Sequence, residues 1–153
     1  MSALAKPWAV LPATSAEAMD AVCAFEEFSL RFCEQVEVPT VQLIHAGTYA
    51  RTIEMAAGVK LTGALMKIPT VLIVCGHVKM LAGAEFVELK GYSVIPAAAG
   101  RKQFFEAIER TWITMLFPTQ AKTVEEAEAE FTDEAAKLLS RRQNANRVVI
   151  TEE

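Results

Sequence analysis

The sequence predicts a mainly β protein, a sandwich or barrel with one helix before it and one after it. Between Val41 and Phe117, short runs rich in β-branched and aromatic residues are separated by glycine at short intervals. The runs are too close together for the helical crossovers of a parallel sheet, and their spacing is typical of sandwiches and barrels. Both flanking segments begin with a capping box, the usual start of a helix.

Size and composition narrow the class of protein. The 153 residues, 52% of them hydrophobic, predict one domain with a substantial core. A formal charge of −4 argues against sequence-independent binding to nucleic acid and against docking on anionic lipid. No apolar run approaches the roughly 20 residues of a membrane-spanning helix, and the N-terminus does not resemble a signal peptide. The three cysteines lack metal-type spacing, so we expect free thiols in a reducing compartment.

Residues 1–39 form the first part of the predicted domain. Residues 1–13 are expected to be an irregular arm that Trp8 and Leu11 attach to a surface. Thr14 to Glu17 has the form of a capping box and predicts a helix that runs to about Glu34.

Residues 40–120 form the predicted barrel, and glycine marks most of the breaks within it. The segment Gly100 to Gln103 is interpreted as a short basic turn. The predicted strands are 41–45, 49–55, 59–66, 70–75, 78–81, 86–90, 92–95, 103–109 and 112–117.

Residues 121–153 are predicted to form an amphipathic helix and a tail. Thr123 opens a second capping box, and apolar residues then recur every three or four positions over 123–142. Acidic residues precede basic ones along this segment, the order that a helix dipole favours. In the tail, Arg147 to Ile150 could add as a strand to a free sheet edge, either its own or a neighbour's.

The β region resembles the cupins, which are small jelly-roll barrels. Gly58 and Gly76 fit the first and last glycines of the motif G-x5-H-x-H-x3,4-E-x6-G, whereas its metal-ligand positions fall on Ala64, Met66 and Thr70. The second motif, G-x5-P-x-G-x2-H-x3-N, is followed in outline by glycines and a proline over 91–100, with Gln103 near its histidine. The resemblance implies a cupin-like barrel with a degenerate metal site and no cofactor.

The phrases GTYARTIEMAAGVKLTG, GYSVIPAAAG and TVEEAEAEFTDEA also resemble small cupin-like proteins of tailed phages and prophages. This implies a non-enzymatic, metal-free protein that acts through assembly, as a homo-oligomer or with other phage structural proteins, and that is virion-associated or a decoration protein. The expected location is the cytoplasm of the bacterial host or the virion. No nucleic-acid or membrane partner is expected.

Residues that could bind a ligand cluster near the start of the barrel. Alternation places Tyr49 and Arg51 on one face of a strand, and an inward guanidinium would need an anionic partner, either Glu106 or Glu109 or a bound carboxylate or phosphate. The alternative function is therefore a small-molecule binder for an anionic sugar or nucleotide, using Tyr49, Arg51 and His45. A metal-free isomerase or epimerase is a further alternative, although no catalytic constellation is assigned.

Overall fold

Eight strands pair into one curled sheet, with a helix on its N-terminal side and short helices on its C-terminal side. The structure, a computed structural model, describes residues 9–151. It confirms the predicted fold class, mainly β and barrel-like with helices at both ends. The elements are α1 (Ala16–Phe32), β1 (Thr40–His45), β2 (Thr48–Met55), β3 (Lys60–Met66), β4 (Thr70–Ala82), β5 (Glu85–Ala97), β6 (Arg101–Ala107), β7 (Thr111–Pro118), α2 (Val124–Phe131), a 3-10 turn (Ala135–Lys137), α3 (Leu139–Arg142) and β8 (Asn146–Ile150).

Strand β4 organises the sheet because it pairs with three others. The strands run in the order β3-β6-β4-β7-β2-β1-β8, and β5 pairs with the other edge of β4 along its whole length. Residues 71–75 of β4 pair with β7, whereas residues 78–80 pair with β6. The partner changes around Gly76, whose φ is +142° and whose Cα lies close to the backbone of Arg110 and Thr111. This change curls the sheet around an interior.

Two predicted breaks do not exist. The predicted strands 70–75 and 78–81 form one strand, β4, and the predicted strands 86–90 and 92–95 form one strand, β5. Gly76 and Gly91 lie opposite each other in the β4–β5 pair. Both have a positive φ, so they bend the strands without reversing the chain.

The N-terminal helix begins one residue later than its capping box suggests. The Ser15 hydroxyl, not that of Thr14, accepts the hydrogen bond from the Ala18 amide. The Thr14 side chain is buried instead and exchanges hydrogen bonds with the backbone of Lys102 in β6. Leu11 is buried and bridges to β5, as the arm prediction requires, while Trp8 lies outside the described residues.

The prediction of one helix over 123–142 is wrong beyond Phe131. Thr123 caps α2 as predicted, but the Phe131 carbonyl accepts a hydrogen bond from the Lys67 amide in the β3–β4 loop. The Glu134 carboxylate accepts another from the Leu65 amide. These two contacts with the barrel end the helix, and the chain continues through the 3-10 turn and α3.

The tail adds to the sheet of its own chain. β8 pairs with β1 in parallel, with Arg147 opposite Val41 and Ile150 opposite Ile44. This confirms one of the two predicted outcomes for the tail. The division into 1–39, 40–120 and 121–153 stays a prediction.

The core lies on the concave side of the sheet, where alternate residues of each strand are buried. The rings of Tyr49, Phe117 and Phe131 pack with centroid distances of 5.3 to 6.1 Å and join α2 to β2 and β7. A helix with the length and apolarity to cross a bilayer is not found within residues 9–151.

Candidate functional site

A cavity of about 420 Å³ lies inside the curled sheet. Its walls are mostly apolar because alternation along the strands directs apolar side chains to the inside of the sheet. α1, α2 and the segment after α2 also contribute to the lining, with Glu26, Leu30 and Lys137 among their residues. The apolar wall residues are Ile53, Leu61, Ala64, Met66, Leu72, Phe105, Ile113, Met115, Phe131 and Leu138.

Arg101 places a buried cation at this cavity. Its side chain is 1% exposed, with Nε donating to the Ala98 carbonyl at 2.6 Å and Nη2 donating to the Thr70 hydroxyl at 2.7 Å. No carboxylate of residues 9–151 lies within 4.0 Å of its guanidinium. Its third nitrogen, Nη1, donates no hydrogen bond to any residue in this range. Burial lowers the pKa of Arg101 to about 10, so the charge persists at neutral pH.

Gln103 points into the cavity from the same side of β6 as Arg101. Its Nε2 donates to the Leu81 carbonyl at 2.8 Å. Its Oε1 is buried and has no hydrogen-bond partner within residues 9–151. An unsatisfied buried acceptor is costly, and a rotation of this side chain toward the cavity would let the oxygen accept from a donor carried by a ligand.

A cluster of four charges joins α1 to the segment after α2 at one side of the cavity. Lys102 Nζ lies 3.0 Å from the Glu26 carboxylate and 3.5 Å from that of Glu134, which is 2.9 Å from Lys137 Nζ. Burial raises the pKa of Glu134, but hydrogen bonds from Lys137 and the Leu65 amide, with the charges of Lys102 and Lys137, outweigh it and hold the pKa at about 2. The charges of this cluster are therefore compensated within the protein.

Arg51 also lines the cavity, but its charge is compensated within the chain. Its guanidinium donates to the Ser140 hydroxyl at 3.0 Å and to Gln42 Oε1 at 3.3 Å, and lies 3.8 Å from the Glu128 carboxylate. Glu128, which is buried, is also bonded by Arg141 at 2.7 Å. The acidic partner of Arg51 is thus Glu128 of α2, and not the predicted Glu106 or Glu109.

The structure brings two of the three predicted ligand residues together. Tyr49 donates its hydroxyl hydrogen to Gln42 Oε1, the same oxygen that Arg51 contacts. Burial raises the pKa of Tyr49, although the charge of Arg51 and its hydrogen bond act in the opposite direction. Tyr49 is fully buried and does not line the cavity, while His45 lies at the end of β1 and hydrogen-bonds the Thr151 hydroxyl at 2.6 Å. Their role in ligand binding stays a prediction.

The positions predicted to correspond to metal ligands do lie around this cavity. Ala64, Met66 and Gln103 line it, and Thr70 is buried beside Arg101. An alanine, a thioether and an amide are a poor donor set for a divalent cation, and the Thr70 hydroxyl already accepts from a guanidinium. A fixed positive charge at 2.7 Å from that oxygen opposes a second cation. These side chains therefore do not fit a metal ion.

Arg101 and its surroundings were not predicted from the sequence, where Gly100 to Gln103 was interpreted as a basic turn. β6 in fact begins at Arg101. The available signal was alternation, because Arg101, Gln103 and Phe105 share one face of the strand. A charged residue at the start of that series gives no indication from sequence alone that it is buried.

Solved structures similar to this chain include several cupins at low sequence identity. A cupin-superfamily protein of Desulfitobacterium hafniense has a TM-score of 0.46 and 12% identity over 57% of this chain and 82% of that one. The cupin domain of Schizosaccharomyces pombe Cnp3 has a TM-score of 0.44 and 18% identity over 69% and 81%. A cupin-2 protein of Shewanella frigidimarina has a TM-score of 0.41 and 14% identity over 65% and 98%. No family model and no curated protein sequence matches the chain. These likenesses concern the fold alone.

Proposed function

We propose that the protein binds a small amphipathic carboxylate in the cavity, without a metal ion. The observation that carries this proposal is the Arg101 guanidinium, a buried cation that lines an apolar cavity and has no carboxylate partner within residues 9–151.

The charge argument favours an anion. A buried, uncompensated charge is costly, and Arg101 has a terminal nitrogen without an acceptor in the described chain. A carboxylate that reaches Nη1 would supply both the missing charge and the missing acceptor. Of the other cations that line the cavity, Arg51, Lys102 and Lys137 already have acidic partners, and Arg142 is exposed.

The shape and polarity of the cavity favour a ligand with an apolar body. Its volume of about 420 Å³ falls in the range of ligand pockets, about 300–1,000 Å³. The free Gln103 Oε1, two residues from Arg101 on the same face, favours a hydroxyl or amine a few ångströms from the carboxylate. The proposed class is therefore a short-chain carboxylic acid, preferably one with a hydroxyl group.

Isothermal titration calorimetry with hexanoate, 3-hydroxyhexanoate and hexanol tests the proposal. We expect hexanoate to bind at least about tenfold more tightly than hexanol, because a charge-assisted hydrogen bond contributes roughly 1.5–3 kcal/mol. Arg101→Met should remove this preference, while Gln103→Met should remove only the difference between the two acids. A wild-type protein that binds the acid no better than the alcohol overturns the proposal.

A matched control and a stability readout separate binding from folding. Arg142→Met also changes an arginine that lines the cavity, but this arginine is exposed, so acid affinity should stay within about twofold. Arg101→Met removes the desolvation cost of a buried charge without an acidic partner, but it also removes the donors to the Ala98 carbonyl and the Thr70 hydroxyl, at about 1 kcal/mol each. Because these effects oppose each other, we expect ligand-free Arg101→Met to melt within about 4 °C of the wild type.

The assembly role predicted from the phage resemblance remains a second proposal. The observation that favours association is a set of exposed apolar side chains on the convex side of the sheet: Val41, Leu43, Val71, Tyr92, Val94 and Trp112. For the metal-free isomerase alternative, the cavity lining within residues 9–151 does not single out an acid and a base.

A further inference from the structure

Arg51 keeps hydrogen-bond donors that the described part of the protein does not use. An arginine guanidinium carries five N–H groups. In Arg51, Nη1 donates one of them to Gln42 Oε1, and Nη2 donates another to the Ser140 hydroxyl. Nε donates to no residue within 9–151, and it is not fully buried. Because Arg51 lines the cavity, a ligand bound there can reach the remaining donors.

The charges around Arg51 decide which kind of group these donors would bind. The buried Glu128 carboxylate lies 3.8 Å from Nη1, close enough to balance the charge but too far for a hydrogen bond. A second carboxylate bound at Arg51 would lie near that of Glu128 and would be repelled by it. A carbonyl oxygen accepts hydrogen bonds without adding a charge. The arrangement therefore favours a neutral carbonyl group over a second anion.

The register of the sheet limits the distance between Arg51 and Arg101. Arg101 is hydrogen-bonded to Thr70 on β4, whereas Arg51 lies on β2, and β7 runs between these two strands. Thr70 is two residues before Leu72. Leu72 pairs with Met115, and Met115 pairs with Arg51. Two strand spacings of about 4.8 Å and a shift of about 6.8 Å along the strands would separate Thr70 from Arg51 by about 12 Å in a flat sheet. The curl shortens this distance, so it is an upper limit.

A ligand with about five bonds between its two polar ends would span the two arginines. A hydrogen bond of about 2.9 Å at each end leaves up to about 6 Å for the ligand itself. An extended chain advances about 3.3–3.6 Å for every three bonds, so about five bonds fit between a carboxylate oxygen and a carbonyl oxygen. Leu72 and Met115 line the cavity between the two arginines. These apolar side chains favour methylene groups between the polar ends.

We infer that Arg51 is a specificity-determining residue that selects carboxylic acids with a keto group on the fourth or fifth carbon. The inference rests on the proposed function, because it requires the carboxylate to be held by Arg101. The keto oxygen accepts from the unused donors of Arg51, while the chain packs on the apolar wall. This narrows the ligand class to 4-oxo and 5-oxo acids.

Isothermal titration calorimetry with hexanoate and its 2-oxo, 4-oxo and 5-oxo derivatives tests this inference. We expect 4-oxohexanoate or 5-oxohexanoate to bind about tenfold more tightly than hexanoate, because hydrogen bonds from a charged donor are the stronger ones. The keto group of 2-oxohexanoate is next to the carboxylate and cannot reach Arg51, so its affinity should stay within about twofold of that of hexanoate. Hexanedioate, which places a second carboxylate at the far end, should bind less tightly than the tighter of the two oxo acids.

Substitution of Arg51 assigns the gain in affinity to its side chain. Arg51→Met should abolish the gain of the oxo acids and leave the affinity for hexanoate within about twofold. Glu128 still has the hydrogen bonds from Arg141 at 2.7 and 2.9 Å, so the variant leaves no buried carboxylate without a partner. Arg142→Met is the matched control, because it changes an exposed arginine of the same cavity, and it should preserve the gain. Circular dichroism shows whether each variant is folded.

The possible failures of this inference and of the proposed function can be told apart. Three results would contradict the role of Arg51 and leave the proposed function in place: oxo acids that bind the wild type no better than hexanoate, a gain that survives Arg51→Met, or hexanedioate as the tightest ligand. If hexanoate itself binds the wild type no better than hexanol, the proposed function fails, and the role of Arg51 fails with it.

Discussion

Replacing Gly76 by alanine should open the curl of the sheet at its tightest point. This glycine lies where β4 changes its partner from β7 to β6. A Cβ atom at this position would lie 2.5 Å from the Thr111 hydroxyl oxygen and 2.6 Å from the Arg110 carbonyl oxygen. The second of these atoms is backbone, so it cannot move aside by changing a rotamer.

The cost can be worked out from two contributions. A φ of +142° disfavours any residue with a Cβ by roughly 1–3 kcal/mol, and overpacking adds a further 1–3 kcal/mol, roughly. Gly91, directly opposite on β5, has a φ of +92°, but a Cβ added there would have no atom within 4 Å. Gly91→Ala is therefore the matched control, because it carries only the first contribution.

Thermal unfolding followed by circular dichroism measures the difference between the two variants. For a chain of this size about 1 kcal/mol corresponds to roughly 2–4 °C, so Gly76→Ala should melt roughly 2–12 °C below Gly91→Ala. Equal melting temperatures would show that the close approach of Gly76 to β7 does not constrain the curl.

Two further predictions concern the charges that hold the C-terminal segment. Glu128→Gln should lower the free energy of unfolding in urea by roughly 3–5 kcal/mol. It leaves the buried Arg51 without its acidic partner and also removes the salt bridge with Arg141. Arg141→Met, which removes the more exposed of the two arginines, should have a smaller effect. The pKa of Glu134 is about 2 in the folded protein against an ordinary 4.5, so its contribution to stability is present above about pH 4.5 and is lost as the pH falls towards 2. Glu134→Gln and Lys137→Met should each flatten the dependence of unfolding free energy on pH in that range, and an unchanged slope in both would contradict the role given to this pair.

Alternation and glycine spacing predicted most of the barrel correctly, since β1, β2, β3 and β7 lie within two residues of their predicted limits. The errors occur where a local signal has two structural meanings. Glycine marks a turn in many hairpins, but at Gly76 and Gly91 it permits a bend within a long strand. At Gly76 the bend brings the strand against the backbone of Arg110 and Thr111, which are far away in sequence.

The predictions of the C-terminal helix and of the site were wrong for the same physical reason, which is that contacts between distant parts of the chain decide both. The periodicity of 123–142 is helical, but two hydrogen bonds to the β3–β4 region end the helix at Phe131. Arg101 is charged and next to a glycine, so its sequence context favours a turn. Its burial follows from the register of β6 with β3, which no local pattern reports.

The parallel pairing of β8 with β1 sets an order for events during synthesis. His45 and Thr151, which are hydrogen-bonded, are separated by 106 positions. At about 5–20 residues per second, the ribosome needs about 5–20 s after β1 to deliver its last partner strand. Throughout that interval the free edge of β1 is a template for any other extended strand, so the nascent chain is exposed to mispairing at this edge until β8 emerges.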